Sequence, residues 1–416
     1  MASNLEIDLI EFAGEEGIVF EGPEVQLATM DTAFQIEFPN GIACLDSIQA
    51  AIKTLSLLRT KANQDPQTLM AIRNGILPVA IGALPFDSTA KTSLNVPKVC
   101  VIKKKSSTWI IEIGSKEEKF NSIEKVLSRI KQHRIPSTSL GPEQIFIYSD
   151  PFYEKWIKQV DTLVKQIQQG HVEKVVLSRQ VFIETNSIIK KEPILQRLKD
   201  NFPTCSIFSI ENFIGASPEL LFSRIGNDLK LVPLAGTTNN SGNEKTNSKL
   251  NKNLFSSPKQ RHEHQLVLKE IRQVLEPICQ KLEIPSVPII VSMQNVAHLA
   301  SPIKAIIDKN KEYTNALLLL NKLHPTPAVA GFPREKALEA ISSTEDFDRG
   351  RYAGPVGWVD TSGNGEWVIG IRSAEITGTN ARLLAGVGLV ADSEAEQELL
   401  ETQFKLQAIL SAMVRP

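Results

Sequence analysis

Nothing in the 416-residue sequence approaches the roughly 20 consecutive apolar residues that a membrane-spanning helix needs. Lysine and arginine never run longer than Lys103-Lys104-Lys105, and the net charge is −1, so the electrostatic footprint of a nucleic-acid or anionic-membrane binder is missing. Cysteine is scarce. Cys44, Cys100, Cys205 and Cys279 stand far apart without CxxC spacing, which excludes a disulfide frame and suits buried thiols in a reducing compartment. The first residues show no charged start leading into an apolar core, so no secretory signal is expected. Repeats and low-complexity tracts are also absent. These absences leave a cytoplasmic globular chain, 42% hydrophobic and 22% charged, with material for a large core in one domain or in two halves sharing a sheet.

Short β-type runs and amphipathic helices alternate along the chain. Strands are expected at Ile18–Phe20, Gln35–Phe38, Val99–Ile102, Trp109–Ile113 and Gln144–Ile147, and a helix at Leu45–Arg59. The Pro-, Ser- and Gly-rich stretch Arg134–Gly141 is the natural joint between an earlier part, 1–140, and a later part, 141–416. Beyond it, Trp156, Val160, Leu163, Val164 and Ile167 share one face of a helix stopped at Gly170. A strand opens at Lys174. The polar stretch Thr237–Ser257 reads as a loop. Ser257, Pro258 and Gln260 open a helix with a capping box that runs to about Lys281. Strands at Gly357–Asp360, Glu366–Ile371 and Ala381–Ala385 precede a closing helix capped by Ser393 and Glu396. The pattern is that of a mixed α+β enzyme.

Several residues could carry chemistry. On the closing helix, Glu394, Glu398, Glu401 and Lys405 share a face, which is either a solvated stripe with a Glu401–Lys405 ion pair or carboxylates held for a hard cation such as Mg²⁺. The helix from Ser257 carries His262, Glu263 and His264. Two histidines two residues apart cannot face one metal, so zinc is rejected and Glu263 stands alone as a possible ligand. Lys174 is either an edge charge or, in a dry pocket, a base with a lowered pKa. Glu219 follows Ser217-Pro218 and is either a surface turn carboxylate or an acid aimed into a cleft. Gly236 and Thr237 would let backbone approach a ligand closely. Gly386 and Gly388 sit where N–H groups could hold a carboxylate, but the third glycine of a dinucleotide fingerprint is missing. His324 opens a stiff proline-rich loop.

Taken in order, these pieces resemble the chorismate-utilising enzymes, a family that includes isochorismate, salicylate, anthranilate and aminodeoxychorismate synthases. The matching motifs are KVVLSR (Lys174–Arg179), GASPELL (Gly215–Leu221), PLAGT (Pro233–Thr237), RHEH (Arg261–His264), HPTPAVAG (His324–Gly331), RYAGPVGW (Arg351–Trp358), IRSAEI (Ile371–Ile376), AGVGLV (Ala385–Val390) and the Glu398…Glu401…Lys405 helix. Before Lys174 the likeness is loose, resting on Gly82–Asp87. The resemblance implies Lys174 as the base that activates water and Glu219 as the acid that protonates a departing hydroxyl. It implies Glu263 and Glu401 as Mg²⁺ ligands, with Glu398 close to the ion through water. Tyr352, Arg372, Lys405 and the Gly386 and Gly388 amides would hold substrate carboxylates, with Gly236, Thr237 and His324 in the same binding set.

The implied fold is a large α+β domain spanning 1–416, with antiparallel sheets in a central core and helices outside. Ala235 stands where aminodeoxychorismate synthases commonly carry a nucleophilic lysine, and HPTPAVAG looks like the isochorismate branch. The expected activity is therefore Mg²⁺-dependent interconversion of chorismate and isochorismate, with a salicylate synthase next and an inactive chorismate-binding protein as the alternative of another class. The expected partner is chorismate alone, bound by a monomer without a glutaminase subunit.

Overall fold

The computed structural model describes residues 7–60, 70–72, 75–104, 106–114, 124, 128, 144–240, 243–293, 296–308, 310 and 315–414. The joint expected at Arg134–Gly141 lies outside them. Eighteen strands form one hydrogen-bonded network, and Leu234–Asn239, Ile289–Ser292 and Val296–Ala300 form a separate three-stranded sheet. Every pairing among the described strands is antiparallel. Early and late parts of the chain share the large sheet, because Val79–Ala83 pairs with Pro355–Asp360. Helices including Tyr153–Gln168 and Ala395–Val414 pack on this framework through their apolar faces. None among the described residues is long and apolar enough to cross a membrane.

The strand that positions the site is Lys174–Thr185. Alternation sends Val175, Leu177, Val181 and Ile183 to one side, where they enter two neighbouring cores. Lys174, Val176 and Ser178 point to the other side. Their partner strand is Asn380–Leu389, in register so that Gly386 faces Ser178 and Gly388 faces Val176. This strand extends past the expected end at Ala385. The two glycines are therefore mid-strand rather than in a loop, since the long partner supplies a continuous ladder and their missing side chains leave room above it.

Other boundaries also moved. The polar stretch after Asn239 is not all loop: Asn243 caps a helix at Glu244–Ser256, accepting the Lys245 and Thr246 N–H groups. That helix buries Leu254 alone, so it carries almost no apolar stripe. Ser257 then caps the next helix, Pro258–Leu275, through the Gln260 N–H. The capping box stays half made, because the Gln260 side-chain oxygen Oε1 accepts the Thr237 N–H at 3.0 Å instead. Cys279–Glu283 is a strand rather than the continuation of this helix. Ser393 does not cap the last helix in the expected way; its hydroxyl accepts the Val390 N–H at 3.1 Å.

Candidate active site

A narrow cleft is walled by Glu219, Gly236, Thr237, Glu263, Tyr352, Arg372, Gly386, Gly388 and Lys405. The walls come from seven stretches of the chain, on strands, loops and two helices, that the fold brings together.

Lys174 lies beneath this lining. It is fully buried, and its Nζ stands 2.9 Å from Glu263 Oε1. The two are not aligned as a hydrogen bond, so the ammonium is held by charge and its N–H groups remain unsatisfied. Glycine at 388 makes the arrangement possible, because a Cβ there would sit 2.1 Å from Glu263 Oε1 and 2.8 Å from Lys174 Cε. Glu263 projects from the second turn of the Pro258–Leu275 helix. The neighbouring His264 turns the other way to Ser301 Oγ at 2.8 Å, and burial followed by the charge of Lys174 lowers its pKa to about 4. His262, two residues before, is exposed and does not share this buried position.

Glu219 ends the Ser217-Pro218 turn, where the Ser217 hydroxyl accepts its N–H and its own carbonyl accepts the Ile369 N–H. Only 4% of the residue is exposed. Burial pushes its carboxyl up to about 7, against the opposing pull of Lys174, the Leu234 N–H, Arg372 and Lys405. A carboxyl of this kind holds its proton near neutrality and can give it to a leaving group.

Arg372 is fixed by a chain of contacts. Its Nη2 lies 3.2 Å from His298 Nε2, while His298 Nδ1 lies 3.1 Å from Thr237 Oγ1 and 3.2 Å from the Gly236 carbonyl. Burial, then Arg372 and Lys405, holds the His298 pKa well below the usual histidine range, so the ring is neutral. Nδ1–H therefore donates toward Gly236 and Thr237, and Nε2 accepts from the guanidinium. Gly236 has a φ of +78° at a break in the register between Ala235 and Thr237. Arg372 and Ala353, beside Tyr352, are left-handed as well, with φ of +53° and +62°. Non-glycine residues in that region cost about 1 kcal/mol or more each and tend to gather at functional sites. Lys405 donates to the Gly386 carbonyl at 2.9 Å and pairs with Glu401 at 2.6 Å, the i,i+4 pair expected from the sequence.

The three candidate metal ligands are each turned to a lysine: Glu263 to Lys174, Glu398 to Lys259 at 2.7 Å, and Glu401 to Lys405. Among the described residues no three His, Cys, Asp or Glu side chains gather closely enough to hold an ion. The donor set nevertheless suits a hard cation. It consists of oxygen only, it comes from two facing helices, and Gly388 leaves Glu263 room to move. Negative charge crowds Glu398, whose pKa is raised by burial and then by Glu401.

Residues 22–414 match the family described as chorismate binding enzymes. The chain belongs to that family. Among its relatives, the isochorismate synthase EntC of Escherichia coli is 34% identical over 80% of this chain and 81% of that protein. The isochorismate synthase MenF of Bacillus subtilis is 38% identical over 62% of this chain and 55% of that protein, so the match spans just over half of its length. A Bacillus anthracis structure described as a candidate 2,3-dihydroxybenzoate-specific isochorismate synthase superposes with a TM-score of 0.81 at 29% identity, covering 97% of this chain and 98% of that one.

The chorismate binding fold brings most of the residues singled out from the sequence to this cleft, although Lys174, Glu398 and Glu401 are not part of its lining. His324 is not in the cleft wall: it is fully buried, its Nε2 donates to the Phe86 carbonyl at 3.2 Å, and burial lowers its pKa to about 3. A neutral ring packed edge-on against Phe86 anchors the loop, and Ala328 and Val329 reach the cleft in its place. His298 and Lys259 went unrecognised. A single histidine inside Val-Ala-His-Leu-Ala was the available sign for the first; for the second there was none, because its partner is on another helix.

Proposed function

We propose that this chain is a magnesium-dependent isochorismate synthase, interconverting chorismate and isochorismate for menaquinone or siderophore synthesis. The observation that carries this reading is the pairing at one cleft of Lys174, buried with unsatisfied N–H groups, and Glu219, a carboxyl pushed up to about 7. The first, in its neutral amine form, can take a proton and the second is an acid that can give one, on different elements, as a substitution at two separate ring carbons requires. The names borne by the relatives above agree with it.

In this reading Lys174, as the neutral amine, takes a proton from water as the water oxygen bonds to ring carbon 2. Both ring double bonds shift, the carbon 4–oxygen bond breaks, and Glu219 protonates the departing hydroxyl. One water enters and one leaves, so the product is an isomer. Arg372, Tyr352 and Lys405 orient the substrate carboxylates, with His298 holding Arg372 in place. Glu263 and Glu401, with Glu398 beside them, would hold Mg²⁺, whose charge grips the ring carboxylate when it is bound. Ala235 offers no nucleophile, so a covalent amine at that position has no place here.

Proton NMR of the purified protein with chorismate and Mg²⁺, without ammonium, tests the proposal. A chorismate–isochorismate mixture settling at a fixed ratio is expected, and EDTA should stop its formation. Salicylate and pyruvate would reassign the chain to a synthase that also eliminates pyruvate. Unchanged chorismate with and without ammonium would overturn the enzymatic reading.

A further inference from the structure

The three metal-ligand candidates are balanced one for one by lysines, but the three lysines are not equivalent. Lys174 is assigned to the chemistry, and Lys405 is also tied to the Gly386 carbonyl. Lys259 has neither role. It sits one turn before Glu263 on the same helix, and its Nζ crosses to the last helix to meet Glu398 Oε1 at 2.7 Å. Glu398 is nearly sealed, whereas the Lys259 side chain is 22% exposed, so it keeps an open route to water. Its ammonium lies in the field of all three carboxylates, with Glu398 the strongest and Glu401 and Glu263 adding to it. A flexible, strongly hydrated point charge is suited to leave such a place when a better cation arrives.

We infer that Lys259 is the built-in counter-ion of the metal carboxylates: without the ion its ammonium occupies their shared field, and Mg²⁺ binds by sending it back to solvent. This rests on the metal assignment made above and explains why the three glutamates stand apart, each on its own lysine. Two consequences follow for the enzyme. The carboxylates stay paired rather than repelling one another when the metal is away, and affinity for Mg²⁺ is lowered by an internal competitor.

The test reads metal binding directly, without substrate or turnover. Isothermal titration of Mg²⁺ into the full-length protein is compared with Lys259→Met, Lys259→Gln and Lys259→Arg. Removing the competing charge should tighten Mg²⁺ binding about ten-fold or more in the Met and Gln variants, with the Arg variant close to the parent. In EDTA the Met and Gln variants should melt below the parent, and saturating Mg²⁺ should raise their melting temperature by more than it raises the parent's. The Gln variant keeps a hydrogen-bond donor toward Glu398 and serves if the Met variant does not fold metal-free. Unchanged or weaker affinity in folded variants would overturn the role of Lys259 while leaving the metal assignment standing. Absence of binding to all four proteins would overturn both.

Discussion

The Lys174 ammonium and the Glu263 carboxylate meet at 2.9 Å under a glycine, with the lysine wholly shielded from water. Removing one partner leaves the other charge buried and uncompensated, at a cost of about 3 kcal/mol or more. Lys174→Met and Glu263→Gln should each lower stability by that order in urea unfolding, and the double variant should recover much of the loss. Turnover should stay about a hundred-fold or more below the parent in Lys174→Met and in the double variant alike. A double variant no more stable than the singles would argue against the pair.

Glu219 links activity and stability to pH in the same sense, both falling as pH rises. Its carboxyl titrates near 7 folded against an ordinary value of 4.5, so the folded protein favours the neutral form. The associated stabilisation is complete below about pH 4.5 and is lost as pH rises through 7, a penalty of about 3 kcal/mol above that. Glu219→Gln should therefore be more stable than the parent at pH 8, with little difference at pH 4.5, and should lose turnover. In the parent, kcat/KM should fall as pH rises through about 7; a limb that persists in Glu219→Gln with residual activity would assign it to another group.

In the proposed reading His298 acts on substrate through Arg372. His298→Ala removes a hydrogen bond to a charged group, which is worth about 1.5–3 kcal/mol, and should raise KM for chorismate about ten-fold or more with a smaller effect on kcat. His298→Gln, which keeps an acceptor, should recover part of the loss. In Arg372→Ala the further change at His298 should matter little, and additive effects would show that the two do not act together.

Gly388→Ala brings a methyl group to 2.1 Å from Glu263 Oε1, so the carboxylate and Lys174 must both shift. A displacement of about 1 Å at a reacting centre can cost about a hundred-fold in rate. Circular dichroism should show an intact fold beside that loss, whereas full activity would mean the pair has slack the structure does not show.

Much of this was legible in the residues. The apolar stripe of Tyr153–Gln168 and the common face of Glu398, Glu401 and Lys405 follow from helical periodicity, and the family motifs assembled Glu219, Tyr352 and Arg372 at one cleft. What escaped notice shares a cause. The Glu244–Ser256 helix buries one side chain, so periodicity had nothing to register, although Asn243 was a readable cap. Gly386 and Gly388 look like loop residues because strand propensity counts side chains, while their place is set by a partner strand. His324 and His298 exchanged importance through contacts with Phe86 and Arg372, both distant in sequence.

The register of Lys174–Thr185 against Asn380–Leu389 also constrains how the enzyme is made. Ser178 leaves the ribosome long before Gly386, and until then the strand carrying the proposed base has an open flank. The nascent chain must keep a row of valines and isoleucines from pairing elsewhere while it waits, and such non-local pairing is slow to form. Pausing translation between these two strands should therefore leave a chain that chaperones hold and proteases cut, with Lys174 in water rather than under its glycine.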